Sequence, residues 1–391
     1  MKLFILNGAM HEVALIEEAK REGMYVIAGG LYKPVEEYCI ADKYISADYN
    51  DLEAMRKIAV EEKIDAICTP CSDNGAINAS IIAQELKLPG HDTPDVQRIL
   101  SRKDDFKRFA KKVGITSPIA EEFTSEQDAI NWIMKQPLPI IVKPADSAGG
   151  NGISTVNVCD EIKGAVEKAF NGSRTKTIVA EPFITGSQHG MCAFLIDKKI
   201  VACVSNDELS GENKYLVKTD IFPATGFENV KDQLYLEVEM MARELNIVDG
   251  IFHLQYIENN GKAYILEVMK RNIGNLYSIP ASRAYDFNWN AWYLKTQCGL
   301  NCSTLRKPSK SPRVSGYTLI QGTKNGIVKD VYIDSYILDR MHYQVGRWFD
   351  GYEIKNYVVD KIGIIFFDCA NREEANYIAS NVDDLVKVVY R

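Results

Sequence analysis

The segment Ile140-Ile-Val-Lys-Pro-Ala-Asp-Ser-Ala-Gly-Gly-Asn-Gly-Ile-Ser154 constrains the fold more than any other stretch of the chain. Its glycines let bare backbone amides come close to an anion, and phosphate oxygens are the common partner of such a loop. The flanks decide which kind of loop it is. A Walker loop runs into a helix and ends in Gly-Lys-Ser/Thr, whereas Ile153–Val158 has a strand pattern. The unit is therefore strand, glycine loop, strand: a flap of the kind that kinases fold over a nucleotide, or a plain surface hairpin. Lys143 closes the first strand, where a lysine either snorkels or neutralises a fixed anion.

The hundred residues at the start alternate strand and helix patterns. Lys2–Leu6, Tyr25–Ala28 and Asp65–Thr69 read as strands, and His11–Glu22, Leu52–Glu62 and Asp73–Leu86 as helices. That alternation predicts a parallel sheet with helices on both faces, whose ligands sit at the strand C-terminal ends: Asn7–His11, Gly29–Leu31 and Pro70–Asn74. The first turn reads Asn-Gly-Ala-Met-His and lacks G-x-G-x-x-G, which argues against a dinucleotide site. Thr93–Val113 reads as two helices, with Ser101 as N-cap of the second. From Pro137 onward short β-branched runs predict antiparallel strands, ending in a hairpin, Ile251–Ile257 and Ala263–Met269. Residues 303–315 read as a linker to a small closing unit, and Ser205–Phe222 as a loop in which Glu208 and Lys214 are solvated charges.

Two further stretches carry chemistry. In Ile178-Val-Ala-Glu-Pro-Phe-Ile-Thr-Gly-Ser-Gln188 a strand runs into Glu181, and Phe183 and Ile184 can form an apolar slot with edge hydrogen bonds for adenine; Gln188 then reaches a ribose hydroxyl. Equally, this is an edge strand and a turn. In the hairpin, Glu267 lies among apolar neighbours, and Met269 and Arg271 share its face because strand side chains alternate. A carboxylate there needs a cation, either Arg271 or a divalent metal. Gln255 joins Glu267 on one face only if the turn has the right parity, so a three-residue loop, Asn259-Asn260-Gly261, is predicted; a two-residue turn puts them on opposite faces.

Charge and cysteines exclude other classes. The net charge is −7 with no basic block, a poor match to nucleic acid or to an anionic membrane surface. No apolar run approaches the roughly 20 residues of a membrane span, and the opening apolar stretch, Leu3–Leu6, is too short for a signal peptide. Nine cysteines, an odd number mostly within apolar strands, read as reduced thiols of a cytoplasmic protein. Cys68, Cys71, Cys298 and Cys302 read as buried small hydrophobes rather than zinc ligands.

Together and in this order, these segments resemble the ATP-grasp superfamily of carboxylate–amine ligases. That group includes biotin carboxylase, the carbamoyl-phosphate synthase large subunit, L-amino-acid ligases and the purine ribonucleotide synthetases. The resemblance covers nearly the whole chain and implies an α/β and α+β architecture. A Rossmann-like pre-ATP-grasp domain would span 1–95, an ATP-grasp domain 96–305 with its lid at about 115–188, and a small C-terminal α+β domain 306–391. It implies ATP and Mg2+, or Mn2+ in its place, as cofactors. Lys103 and Lys143 are similar to the two phosphate lysines. Ser147, Gly149, Gly150 and Gly152 match the flap, Glu181 with Phe183 and Ile184 the adenine hinge, and Gln188 stands where a ribose-binding glutamate is usual. Glu267 matches the bridging metal ligand, with Gln255 as its partner, and Arg271 the arginine that steadies the transferred phosphoryl group. Gln255 and Met269 depart from the family pattern, which has an acidic residue and an asparagine there; Asn272 or Asn275 is a substitute for the lost amide.

The implied reaction activates a carboxylate as an acyl-phosphate and joins it to an amine, releasing ADP and phosphate. The partners implied are small molecules, without nucleic acid or membrane, and a homodimer is compatible. The alternative is an ATP-grasp-like nucleotide-binding protein with weakened or absent catalysis, and a third reading is an NAD(P)-type enzyme using the first sheet. For the substrate, Arg283 and Lys218 are candidate carboxylate partners, and His253, Tyr277 and Trp289 candidate pocket walls. His189 and His342 show no supporting neighbours in the sequence.

Overall fold

Strand Lys2–Leu6 (β1) has four wholly apolar, buried residues, as expected of a strand covered on both faces. The computed structural model describes residues 1–31, 40–147, 149–346 and 350–391; Cys39 of the thiol count and Ala148 of the flap lie outside the described residues. β1 pairs in parallel with Tyr25–Gly30 (β2) and Ala66–Cys68 (β4), and β2 with Lys43–Ser46 (β3), in the order β3-β2-β1-β4. Helix Val13–Arg21 (α1) joins β1 to β2 and Leu52–Glu62 (α2) joins β3 to β4, while Asp73–Leu86 (α3) follows β4. Asp51 caps α2 by accepting from the Ala54 amide at 3.1 Å, and Ser72 caps α3, each cap contributing about 1 kcal/mol.

Pro94–Ile99 (α4) starts behind Thr93, whose hydroxyl accepts from the Val96 amide. Lys103–Val113 (α5) follows, with Arg102 at its N-cap position and no side-chain cap. Ser101 is therefore not the cap; the start of α5 is held from outside, by the Lys103 amide donating to the Ala145 carbonyl at 3.1 Å. A four-stranded sheet comes next, in the order β5-β8-β6-β7: Glu121–Phe123 (β5), Ile140–Pro144 (β6), Ser154–Val156 (β7) and Ile178–Pro182 (β8). Glu126–Ile133 (α6) and Ile162–Gly172 (α7) close one of its faces over Val142, Val166, Ala169 and Ile178.

The largest sheet has eight strands. Ser187–Ile196 (β9), Lys199–Ser210 (β10) and Val217–Phe222 (β11) precede the long helix Phe227–Glu244 (α8). Gly250–Asn259 (β12) and Lys262–Met269 (β13) form the hairpin, followed by helices Ser278–Tyr285 (α9) and Trp289–Gln297 (α10). Val314–Gln321 (β14), Gly326–Ile333 (β15), the short helix Ser335–Leu338 (α11), Met341–Gly346 (β16), Glu353–Ile354 (β17), Lys361–Cys369 (β18), Arg372–Leu385 (α12) and Val386–Tyr390 (β19) complete the chain. The sheet order is β13-β12-β9-β10-β11-β14-β18-β16, antiparallel throughout, while β17-β15-β19 is separate. One face packs on α5 and α8 through Phe106, Leu234, Val238 and Phe252. The other packs on α9, α10 and the first sheet through Phe194, Phe222, Tyr277 and Trp289.

Two expectations need correcting here. Ser205–Phe222 is not one loop: most of it belongs to β10 and β11, with only residues 211–216 turning between them. The polar residues that made it look like a loop alternate between the faces of the sheet, Asn206, Glu208 and Asp220 on one and Ser205, Asp207 and Thr219 on the other. Residues 303–315 are strapped down rather than loose, since the Trp292 indole donates to the Arg306 carbonyl at 3.0 Å and β14 starts at Val314.

Candidate active site

The hairpin decides where Glu267 points. Asn260 and Gly261 have φ of 53° and 76°, a two-residue turn of the kind that Asn-Gly favours, and Asn259 pairs with Lys262. The predicted three-residue loop is therefore wrong. Yet Gln255 faces Glu267 directly, because the register shifts: Tyr256 pairs with Ile265, Gln255 with Glu267, and Leu266 is the extra residue of a bulge. The bulge reverses side-chain parity within β13. Ala263, Ile265 and Val268 can then all enter the core under α8, while Glu267 and Met269 look into the opposite cleft.

Cations converge on that cleft from α5 and β6. Lys103 Nζ lies 2.9 Å from Glu267 Oε2 and donates to the Ser147 carbonyl at 2.9 Å. Burial alone pushes the Glu267 carboxyl up, but Lys103, Lys143 and Arg271 outweigh burial and hold it down to about 2. Lys143 is itself held: its Nζ lies 2.5 Å from Glu181 Oε1, and Lys107 reaches Glu181 Oε2 at 2.7 Å. All three groups are buried, and the two ammoniums keep Glu181 ionised against burial. Burial and the Lys143 charge bring the Lys107 ammonium down to about 8 against the pull of Glu181.

That triad occupies the Glu181 side chain, so an adenine-binding edge at this stretch falls to backbone groups. The Glu181 carboxylate points inward and is fully taken by lysines, as a buried charge requires. The Phe183 amide is also taken, donating to the Pro139 carbonyl at 3.1 Å, although the Phe183 ring is 38% exposed. Ile184 follows it in the bend beyond β8. Lys107 was missed. It lies four residues after Lys103 on α5, hence on the same helical face, and that spacing was the available signal.

The flap needs its glycines. Gly149, Gly150 and Gly152 all have positive φ, between 66° and 76°. A Cβ on Gly150 would lie 2.7 Å from the Tyr215 carbonyl oxygen, and one on Gly152 2.6 Å from Pro144 Cγ; Gly149 has open space. Tyr215 ties the turn between β10 and β11 to the flap by accepting from the Thr155 amide at 2.8 Å.

Arg271 leaves the hairpin toward the first sheet. Its Nε donates to Asp73 Oδ1 at 2.5 Å, at the start of α3, and Asp73, Lys103, Phe106, Glu267 and Met269 line one crevice. Burial opposes the Arg271 charge, and Asp73, Cys71 and Glu267 more than restore it. Alongside, Glu12 is wholly buried near the end of β1, takes an N–H from Asn7 at 2.9 Å, and is raised by burial to about 7. The neighbouring Lys270 pairs with Asp92 at 2.6 Å, both about 2% exposed.

Glu208 is buried rather than solvated, contrary to the expectation from its sequence. Gln188 and Gln255 each donate Nε2–H to its Oε2, at 2.7 and 2.6 Å. Burial pushes its carboxyl up to about 7; the two amides pull down, and Glu267 pushes up again. Asp220, paired with it across the sheet, is raised further by burial and by the Glu208 charge. Lys214 is exposed, as expected.

The substrate candidates fare unevenly. Lys218 is paired with Asp383 and Arg283 with Asp368. His253 is buried, brought down by burial to about 3, and Tyr277 and Trp289 belong to the core beneath the sheet, although the Tyr277 hydroxyl donates to Asn206 at 2.8 Å. Asn275 bonds Tyr317 and Lys361, while Asn272 is buried with its amide on Thr69 Oγ1. His189 does have neighbours, Asp207 and Ser187, each at 2.7 Å, but it faces away from Gln188 and Glu208. His342 lies 3.6 Å from Asp368.

For a divalent cation the donors on this face include the Glu267 carboxylate and the Gln255 carbonyl, with the Glu208 carboxylate behind Gln255. These are hard oxygens suited to magnesium when phosphate oxygens and water supply the rest. Met269 adds only a thioether. Among the described residues no group of three or more His, Cys, Asp or Glu is arranged to hold a metal.

A glycine flap on a small sheet, facing a carboxylate on a large antiparallel sheet with lysines between, is the arrangement of a known family. Residues 101–227 match the family described as phosphoribosylglycinamide synthetase, ATP-grasp (A) domain. The chain has the ATP-grasp fold. It is similar, at 27% identity over 187 residues, to a formate-dependent phosphoribosylglycinamide formyltransferase of Methanococcus maripaludis; the match covers 46% of this chain and 47% of that one. The chain thus matches about half the length of that relative. The fold is shared end to end with the L-amino acid ligase from Bacillus licheniformis, at a TM-score of 0.84 and 19% identity, covering 100% of this chain and 98% of that one. It is shared too with the biotin carboxylase domain of the Hydrogenobacter thermophilus 2-oxoglutarate carboxylase, at a TM-score of 0.75 and 16% identity, covering 99% and 90%. That last structure is a dimer in complex with MgADP, ADP and bicarbonate.

Proposed function

We propose that this ATP-grasp chain is an ATP-dependent carboxylate–amine ligase that forms a C–N bond and releases ADP and phosphate. The observation that carries the reading is the junction of Lys103 with Glu267 under the flap, with Lys143 and Arg271 adding their charge to the same carboxylate. An anionic acid can approach a polyphosphate only where positive groups offset the repulsion, and fixed groups do so without reorganising. In this reading Lys103 and Lys143 bind phosphates, and the backbone of Ser147, Gly149, Gly150 and Gly152 covers them. Glu181 acts through the lysines, holding Lys143 and Lys107 in place, while Phe183 and Ile184 offer apolar cover to adenine and Gln188 bonds the ribose. Arg271 steadies the transferred phosphoryl group. Glu267 and Gln255 would hold magnesium, which would supply Lewis-acid charge to the phosphate oxygens.

The order of events follows from charge. The substrate carboxylate oxygen attacks the terminal phosphorus and ADP leaves; the amine then attacks the acyl carbon and expels phosphate. Water has to be excluded meanwhile, and the flap, tied to the turn at Tyr215, is placed to do so. The strand ends around Asn7, Glu12 and Cys71 lie next to Arg271 and are the place for the acid or the amine. A homodimer is proposed on the likeness to a dimeric neighbour, and a cytoplasmic setting on the eight free thiols among the described residues. No helix among the described residues is long and apolar enough to cross a membrane.

ADP release across pooled amino and hydroxy acids, with and without an amine acceptor, tests the ligase. Carboxylate-dependent turnover is expected, and Glu267→Ala should lower it by roughly a hundredfold or more; unchanged turnover in that variant would mean the metal lies elsewhere. Gln255 and Met269 favour a second reading, a nucleotide-binding protein without chemistry. It predicts MgADP binding and no turnover with any acid.

A further inference from the structure

Glu208 lies between two positions where this chain carries an amide and the family resemblance implies a carboxylate. Gln188 stands on β9 and Gln255 on β12, and both donate to one oxygen, Glu208 Oε2, at 2.7 and 2.6 Å. Gly190 on β9 leaves the room: a Cβ there would lie 3.0 Å from Glu208 Oε1 and 2.5 Å from Asn206 Oδ1. Gln255 also faces Glu267 across the hairpin, so the three side chains occupy one face of the sheet. An ionised carboxylate only accepts, so only the NH2 end of an amide can meet it. Each carbonyl end is thereby turned away from Glu208, where a ligand can use it.

We propose that Glu208 is the positioning residue of the nucleotide site: its one carboxylate orients Gln188 and Gln255 together, so that both present carbonyl oxygens to magnesium-bound nucleotide. The negative charge that the resemblance places on β9 and β12 resides on β10 instead. Amides at 188 and 255 and a carboxylate at 208 form a matched set, because carboxylates at all three places would repel one another with no hydrogen between them. The proposal rests on the nucleotide reading above, and it extends that reading to a residue outside every motif in the sequence.

The test reverses donor and acceptor. Gln255→Glu alone should weaken MgADP binding at pH 8 by about tenfold, and Gln255→Glu combined with Glu208→Gln should bring it back to within about threefold of the parent. Glu208→Leu should weaken it to a similar degree without lowering the ligand-free thermal midpoint, a pattern that a purely structural role would not give. In nitrogen-15 glutamine-labelled protein without nucleotide, the Gln188 and Gln255 side-chain amide signals should both move in Glu208→Leu. Equal MgADP affinity in Glu208→Leu and the parent, or a double variant no better than Gln255→Glu, overturns the proposal and leaves nucleotide binding standing. Amide signals that move in Glu208→Leu while the parent binds no MgADP overturn the nucleotide reading instead, and the proposal with it.

Discussion

Glu267 keeps its charge where an ordinary glutamate loses it, because Lys103 touches it and Lys143 and Arg271 add to the field. A carboxyl whose folded pKa is about 2 against an ordinary 4.5 binds protons less readily folded than unfolded. Its contribution to stability is therefore full above about pH 4.5 and is lost as pH falls toward 2. Glu267→Gln never has that contribution. The difference in urea midpoint between parent and variant should be widest at neutral pH and close by pH 2; a gap that stays constant with pH would refute the linkage. Glu208 shows the limit of reading single residues. Within Ser-Asn-Asp-Glu-Leu-Ser it looks like a solvated charge, and only its amide partners, 20 and 47 positions away, reveal otherwise.

At the scale of elements, the flap sets a contrast between adjacent glycines. Both Gly149 and Gly150 have positive φ, so alanine at either costs about 1 kcal/mol in backbone strain. Only at Gly150 would the new methyl meet backbone, the Tyr215 carbonyl at 2.7 Å. Gly150→Ala should displace the flap from the Tyr215 turn and weaken MgADP binding by roughly tenfold, with Gly149→Ala within about threefold of the parent; calorimetric titration of both variants decides it. The strand–loop–strand character of this segment was legible because glycine spacing and β-branched runs are local signals. The β10–β11 pair was not, since Asn206, Glu208, Lys218 and Asp220 lie on polar strands that mimic a loop. The bulge at Leu266 was hidden for a different reason. Asn260-Gly261 announces its turn, but a bulge answers to the core, which needs Ile265 and Val268 on one side and Glu267 on the other.

At the scale of the whole molecule, two consecutive residues fasten the end of the hairpin to the first hundred residues: Lys270 to Asp92 and Arg271 to Asp73. Neither pairing was visible in the sequence, because partners 178 and 198 positions apart leave no periodic trace. The alternation that predicted the first sheet and the order of the motifs that predicted the fold were visible, as both belong to continuous stretches. Asp92→Asn strands a buried ammonium and should cost about 3–5 kcal/mol, read as a lower urea midpoint. A loss below 1 kcal/mol would mean that Lys270 finds water.

The continuous sheet also bears on how the chain can be divided. Since β14 lies against β11 within it, a fragment stopped at residue 305 would bare the whole β11 rim, an adhesive template for other chains. Residues 306–391 supplied separately would then serve as a complementing piece that mends this rim, so the boundary that composition suggests is a seam within one sheet.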